Sequence, residues 1–439
     1  MITNSNIVGI IADDLTGAND TALQFKLNGA DTNILLNENV SNVNEHIPQA
    51  WAISTESRNG TPECAFEKVK KAIELFTEKI QPDFYYKKID STVRGNIAVE
   101  VMSALEALDW DAGVIMPAFP NEGRITVGGY QLLKGSPIER TEMAADPHSP
   151  ITESHLPTLL KHQLGANLEN LVGLIELKTV LDGAGPILRR INELIEDGKR
   201  IIIVDSASNT DIEQTVLAVQ KSEYKILPVG NAAAAKVLSN IWFPKENELE
   251  RKSVVIPKLP KFIVSGSATH ITANQINSLA NNCIYSEKSK IYELDMDTIM
   301  SGVSDELVDK IVNDLNGTGI VLVHTSNLFR NFNGFDSQSI NAELTKSGLA
   351  DMITDFLAEL AQKVLSKINT ILITLGGETS YKCCDALGVC QLSLVDEVLP
   401  AIALSRNLDS TRYIVTKSGN LGSDTTIMDI LRYFETHEG

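Results

Sequence analysis

The chain has 439 residues, enough for two or three domains that each bury a core. Its 38 lysines and arginines stand against 57 aspartates and glutamates, a net charge of −19 that argues against nucleic acid or an anionic membrane as partner. No apolar run reaches membrane-spanning length, and the first residues lack the cationic segment and apolar core of a signal peptide, so a cytoplasmic protein is expected.

The opening stretch organises the rest. Ile7 to Ala12 is a short run of apolar and small residues, as in a strand buried in a parallel sheet, and it runs straight into Asp13-Asp14-Leu15-Thr16-Gly17. Apolar spacing beyond (Ala18, Ala22, Leu23, Leu27) predicts a helix that begins at once. Ligands of open α/β sheets bind where such strand-to-helix turns open. Two adjacent carboxylates repel, so a metal, a cation or a mobile proton must compensate them.

From Ile7 to about Leu238, strand-like runs alternate with helical patterns, which predicts a mainly parallel sheet covered by helices on both faces. Three further turns follow strands in this half. They are Ser54 to Gly60 with Arg58, Lys87 to Asn96 with Lys88, Asp90 and Arg94, and Pro117 to Arg124. Taken singly, each reads as a solvated loop with incidental ion pairs. If the strands are parallel, all four turns meet at one end of the sheet, where Arg58, Lys88, Arg94 and Arg124 would join Asp13, Asp14 and Asp90. Cations and carboxylates side by side suit a small anion that also carries hydroxyl groups.

Gly128 to Thr158 has turn chemistry and little periodicity, and is expected as an irregular arm or hairpin that either closes a site or serves a dimer contact. The charged, proline-marked stretch Asn240 to Lys261 is the expected domain boundary. The division is therefore 1–240, a linker 241–260, and 261–439. Thr325 to Gly348 is polar and is expected as a mobile loop or lid. The five cysteines (Cys64, Cys283, Cys383, Cys384, Cys390) form no Cys-x-x-Cys pair and read as reduced thiols. Cys383 and Cys384 are adjacent, an awkward pair for tetrahedral zinc, so no metal site built from protein side chains is expected.

In the second half, three strands end in glycine-bearing turns: Ser265-Gly266-Ser267-Ala268-Thr269, Gly376-Gly377-Glu378-Thr379-Ser380, and Lys417-Ser418-Gly419-Asn420-Leu421-Gly422. Glycines let backbone approach a phosphate, and turns that open helices aim N–H groups at it. Together, and with Lys417, they look like a nucleotide-phosphate cradle. Neither a Gly-x-x-x-x-Gly-Lys-Ser/Thr loop nor a Gly-x-Gly-x-x-Gly fingerprint is present.

In order and spacing, Ala12-Asp13-Asp14-Leu15-Thr16-Gly17-Ala18, Lys88-Ile89-Asp90-Ser91-Thr92-Val93-Arg94-Gly95-Asn96, Ser265-Gly266-Ser267, Gly376-Gly377-Glu378-Thr379 and Thr416-Lys417-Ser418-Gly419 resemble the four-carbon acid sugar kinase family. The resemblance covers nearly the whole chain. It implies an α/β protein of two domains, each a mainly parallel sheet flanked by helices, with a ligand cleft between them. The first domain would hold an acid sugar and the second ATP. The reaction would phosphorylate the terminal hydroxyl of threonate, erythronate or 3-oxo-tetronate. The Lys-Ile-Asp-Ser-Thr-x-Arg-Gly-Asn form is closest to the threonate and erythronate branch, and D-threonate is the expected substrate.

By the same resemblance, Asp14 (with Asp13 beside it), Arg58 and Lys88, Ile89, Asp90 and Ser91 would contact the acid sugar. Ser265 or Ser267, Gly376, Gly377, Glu378, Thr379 and Gly419 would contact the nucleotide. The chain departs from the family's frequent Pro-Gly-x-Pro with Pro400-Ala401-Ile402-Ala403, and from Gly-Gly-Phe-Gly with Gly419-Asn420-Leu421-Gly422. Phosphoryl transfer needs in-line positioning, Mg²⁺ on the phosphates and a base near the attacking hydroxyl. Arg58 can grip a carboxylate through two parallel hydrogen bonds, which leaves the far end of a four-carbon acid at Asp13 or Asp14. Asp14, one residue nearer the mouth of the turn, is the expected base. The competing readings are a nicotinamide-dependent oxidoreductase, disfavoured by the missing glycine fingerprint, and a non-catalytic acid-sugar sensor. A homodimer is left open.

Overall fold

The structure, a computed structural model, describes residues 6–37, 48–146, 148–244, 254–328, 345–408 and 412–439. The centre of the expected linker (245–253) and most of the polar loop after Thr325 (329–344) lie outside the described residues. The chain falls into two compact units, Met1–Leu249 and Glu250–Gly439.

The first unit is built on strands β1 (Val8–Ala12), β2 (Thr32–Leu35), β3 (Ala50–Ser54), β4 (Phe84–Lys88), β5 (Ala112–Met116), β9 (Val172–Ile175), β10 (Ile201–Val204) and β11 (Ile226–Gly230). Their order across the sheet is β2-β3-β1-β4-β11-β5-β10-β9, and every pairing is parallel. Parallel pairing explains why β1, β5 and β10 read as unbroken apolar runs: helices cover both faces. On one face Ile11, Ile53, Tyr85, Ile115 and Val229 pack under α2 (Pro62–Leu75) and α3 (Ile97–Leu108). The other face is covered by helices that include α1 (Leu15–Leu27) and α8 (Ala232–Trp242), and α4 (Leu156–Leu164), α5 (Leu177–Leu181), α6 (Ala184–Glu196) and α7 (Asn209–Gln220) complete the unit. α2 runs on without a break into Phe76–Ile80, where it widens to π-helix.

The arm after Gly128 is ordered as an antiparallel sheet of β6 (Arg124–Val127), β7 (Tyr130–Leu133) and β8 (Ser136–Pro137). It is fastened to the end of β10. Asp205, fully buried, accepts the backbone N–H groups of Gly128 (2.6 Å), Gly129 (2.9 Å) and Leu177 (3.0 Å). Thr126 and Ser206 also exchange backbone hydrogen bonds. A carboxylate with three N–H donors can stay buried without a cation.

The second unit contains β12 (Lys261–Ser265), β13 (Ser289–Glu293), β14 (Ile320–His324), β15 (Ile371–Leu375), β16 (Gln391–Leu399), β17 (Ile402–Asn407) and β18 (Tyr413–Lys417). The order is β13-β14-β12-β15-β18-β17-β16; the first five are parallel, and β17 runs antiparallel to both β18 and β16. Helices α9 (His270–Ala280), α11 (Asp305–Thr318), α12 (Lys346–Lys367), α13 (Gly377–Ala386) and α14 (Thr426–His437), with the short α10 (Met296–Ser301), complete it. Each unit is thus the expected α/β sheet with flanking helices. Ala401, in the turn between β16 and β17, has φ of +63°. Glycine would adopt this left-handed conformation without the strain that alanine has to bear.

Candidate active site

In the first unit the turns that follow β1, β3 and β4 interlock through their charges, whereas Arg124 of the fourth turn makes no ion pair among the described residues. Asp14 is the N-cap of α1, extended at φ −148°, and its Oδ1 accepts from Gly17 N at 2.7 Å. Glu56, held at φ +46° after β3, accepts from Leu15 N at 2.8 Å, so two carboxylates serve the start of this helix. Arg58, two residues beyond Glu56, compensates the Asp13 and Asp14 carboxylates. Its Nε lies 2.7 Å from Asp13 Oδ2 and its Nη1 2.6 Å from Asp14 Oδ2, while Nη2 is 4.0 Å from Asp90. Asp13 Oδ1 is buried and has no hydrogen-bond partner among the described residues. Burial raises the Asp13 pKa, but Arg58, Lys88 and Lys87 together outweigh it and hold the carboxyl below its ordinary value.

The third turn is equally constrained. Asp90 receives Arg94 through Nε at 2.8 Å and Nη2 at 3.2 Å, and also accepts from Thr92 Oγ1. Arg94 Nη1 reaches on to Asp146 at 2.7 Å. Burial opposes ionisation of Asp90, yet Arg94 and Arg58 keep its pKa well below the usual range. Val93, between them, sits at φ +58°, a left-handed conformation that is costly for a β-branched residue. Its side chain is buried in the core, which over-determines the turn.

Lys87 and Lys88 are neighbours in sequence but not in role. Successive strand residues point to opposite faces. Lys87 is fully buried under α3, 2.7 Å from Glu100, which also accepts from Ser57 Oγ at 2.7 Å. Lys88 turns to the α1 face, where a Cβ on Gly17 would lie 2.7 Å from its Nζ and 2.6 Å from Asp14 Oδ1. Only glycine leaves room for this approach. Lys88 is buried, and no hydrogen bond or ion pair of its ammonium occurs among the described residues. A polar hollow of about 200 Å³ opens beside Arg58, bordered by Asn59, Gly95, Asn96, His148, Ser149 and Gln163. Sequence reasoning gave the substrate carboxylate to Arg58; here two of its nitrogens are bonded to Asp13 and Asp14. Glu56, Glu100 and Asp146 were not foreseen, because nothing local in the sequence marks a carboxylate that serves a distant cation. Ile89 and Ser91 lie in the same turn as Asp90, Ile89 within the core.

In the second unit the three glycine turns come together because β12, β15 and β18 are adjacent and in register, with Ser265, Leu375 and Lys417 in one row. The turns are in close contact. A Cβ on Gly266 would lie 2.7 Å from Thr379 Oγ1, and one on Gly419 2.5 Å from Ser267 Oγ. Thr269 and Thr272 of the α9 start both donate to Gly419 O at 2.8 Å, and Gln275 Nε2 holds Leu421 O and Ser423 O. Gly376, at φ +121°, opens α13 without a side-chain cap, which leaves the first N–H groups of Gly377, Glu378 and Thr379 to other partners. Lys417 is fully buried; its Nζ donates to Ser418 O at 2.8 Å and makes no ion pair among the described residues. Burial alone brings its pKa down to about 7. Gly422, at φ +90°, packs on Thr426. No group of three or more His, Cys, Asp or Glu among the described residues is arranged to hold a metal ion.

The fold and these two clusters define a class: a two-unit α/β protein with interlocked charged turns at the strand ends of one unit and adjoining glycine turns at the strand ends of the other. Comparison with known proteins gives the family. Residues 8–238 match the model of a sugar-binding N-terminal domain and 262–427 that of a nucleotide-binding C-terminal domain. The chain is 29% identical to a D-erythronate kinase of Heliobacterium modesticaldum over 98% of both chains. It is 28% identical to a D-threonate kinase of Salmonella typhimurium, over 97% of this chain and 98% of that one. It is 27% identical to a 3-oxo-tetronate kinase of Actinobacillus succinogenes, over 95% and 97%. A Haemophilus influenzae protein of solved structure shares the fold, with a TM-score of 0.71 at 23% identity over 97% of this chain and 100% of that one. The chain belongs to the four-carbon acid sugar kinase family, and with it to the phosphotransferases that use an alcohol group as acceptor.

Proposed function

We propose that this protein transfers the γ-phosphoryl group of ATP to the terminal (4-) hydroxyl of a four-carbon acid sugar, with D-threonate as substrate. The observation that carries this reading is the cluster at the end of β1 and β4, in which Asp13, Asp14 and Arg58 are bonded together beside the unpaired ammonium of Lys88. Such a site can hold an anion at Lys88 and keep a carboxylate ionised to orient a hydroxyl. Asp14, less deeply buried than Asp13, takes the role of base, and Arg58 holds both carboxylates in place. Ser91 and Arg94 belong to the same acid-sugar turn.

The residues of the second unit fit a nucleotide polyphosphate. Close approach at Gly266 and Gly419, the uncapped start of α13 and the buried amine of Lys417, which an anion would hold protonated, are features that a run of phosphates would use. Ser265, Ser267, Gly376–Thr379 and Gly419–Gly422 would line it. Mg²⁺, carried in on the phosphates, would supply charge neutralisation there. The similarity to a D-erythronate kinase favours a second reading, the same reaction on D-erythronate. The test is ADP release from MgATP with a panel of D-threonate, D-erythronate and 3-oxo-tetronate. Turnover of one acid at a kcat/KM far above the others names the substrate, and no turnover with any would reject the reading.

A further inference from the structure

The charges around the first-unit site can be paired off one by one. Arg58 is matched by Asp13 and Asp14, Lys87 by Glu100, and Arg94 by Asp90 and Asp146. Two cations remain unmatched among the described residues, Lys88 and Arg124. Arg124 begins β6, just past the turn that leaves β5. That turn is fixed at its root: Asn231 Nδ2 donates to Pro117 O (2.8 Å) and Ala118 O (3.0 Å). The backbone of Arg124 exchanges two hydrogen bonds with Phe119, at 3.1 and 2.8 Å. Its Nε is buried with no hydrogen-bond partner. Gln131 Nε2, on the neighbouring strand β7, donates to Ser91 O (3.0 Å) and to Pro117 O (3.4 Å), which ties the turn leading to Arg124 to the Asp90 turn.

A guanidinium carried on a fixed stretch of backbone, with a buried, unsatisfied N–H, is costly unless an acceptor arrives. Its planar fork matches two coplanar oxygens, a geometry that the point charge of Lys88 cannot supply. We propose that Arg124 is a further substrate-binding residue, which receives the carboxylate of the acid sugar and makes the site select aldonates over neutral polyols. This rests on the proposed acid-sugar reading and deepens it. Arg58, held by two aspartates, then orients the acid end of the catalytic machinery, and Lys88 adds charge.

The experiment compares wild type, Arg124→Gln and Arg124→Lys on D-threonate, on D-erythronate and on the four-carbon alditols in which CH₂OH replaces the carboxylate. The expected result for Arg124→Gln is a KM for the acid raised roughly thirty- to hundredfold, with KM for MgATP unchanged and the acid-to-alditol preference reduced by the same factor. Arg124→Lys should restore charge but little of the preference. Thermal shift with the acid alone reads binding without turnover. A wild type that is stabilised by the acid yet releases no ADP rejects the kinase reading and leaves the Arg124 comparison measurable by shift. An acid KM and preference unchanged in a folded Arg124→Gln protein overturns the proposal, as does a raised KM for MgATP in its place. If Arg124→Gln does not fold, an unaltered acid-to-alditol preference in Arg124→Lys overturns it equally.

Discussion

Replacing Asp14 by Asn keeps the shape of the side chain and removes its charge. Asp14 makes two contacts that the change treats differently: Oδ1 accepts from Gly17 N at 2.7 Å, and Oδ2 from Arg58 Nη1 at 2.6 Å. The amide oxygen can go on capping α1, since Asn ranks with Asp at N-caps. The amide nitrogen cannot accept from Arg58. Loss of that charge-assisted bond costs about 1.5–3 kcal/mol at most, and the 2.7 Å contact of Arg58 Nε with Asp13 remains to hold the guanidinium. The variant should therefore fold, with a modest loss of stability. General-base help contributes about 10²- to 10⁴-fold, so kcat at saturating acid and MgATP should fall by that factor. Nucleotide affinity should not change. ADP release gives kcat, urea unfolding the stability, and thermal shift with MgADP the nucleotide site. If Asp14→Asn keeps near-normal kcat while Asp13→Asn loses it, the base is Asp13, whose Oδ1 has no other partner. If both retain kcat, the turn is structural and the mechanism offered here is wrong.

Three further outcomes are expected. Lys417, with its pKa held near 7 by burial, is deprotonated in the folded state above that pH, whereas the unfolded chain keeps the proton to about 10.4. The unfolded state thus binds more protons between those values, and stability relative to Lys417→Met should rise with pH by up to about 1.4 kcal/mol per unit; a difference flat from pH 7 to 10 refutes this. Glu100→Gln strands the buried Lys87 ammonium and should cost about 3–5 kcal/mol in urea unfolding, while the apolar pair Lys87→Met with Glu100→Leu should cost much less; equal costs would mean that packing, not charge, holds the pair. Ala401→Gly relieves the left-handed strain at φ +63° but adds chain entropy to the unfolded state, a net stabilisation of about 0.5–1 kcal/mol. A destabilised Ala401→Gly protein would show that the methyl group contributes packing there.

The elements that the sequence made legible are those whose burial is uniform. β1, β5 and β10 are parallel strands covered on both faces, so each is a continuous apolar run ended by a turn. β13 and β17 carry no such signal. Ser289–Glu293 is largely half-exposed and has no apolar run, and Ile402–Asn407 is polar at its end and defined by the hairpin that pairs it with Gln391–Leu399. The arm after Gly128 was legible as turns but not as a sheet, because its anchor, Asp205, lies 76 residues from Gly129.

The same division runs through the site. The sequence by itself determined that charged turns follow strands in the first half and glycine turns follow strands in the second. Local turn chemistry and strand periodicity are both written in neighbouring residues. It could not determine how the charges pair. Lys87 and Lys88 are adjacent, yet strand alternation sends one to Glu100 on α3 and the other to the α1 face beside Gly17. Arg58 meets Asp13 across 45 positions of chain, and Arg94 meets Asp146 across 52. Pairing of buried charges is decided by distance and desolvation in the folded state. Only the tertiary structure could therefore separate the neutralised cations from Lys88 and Arg124, which make no ion pair among the described residues.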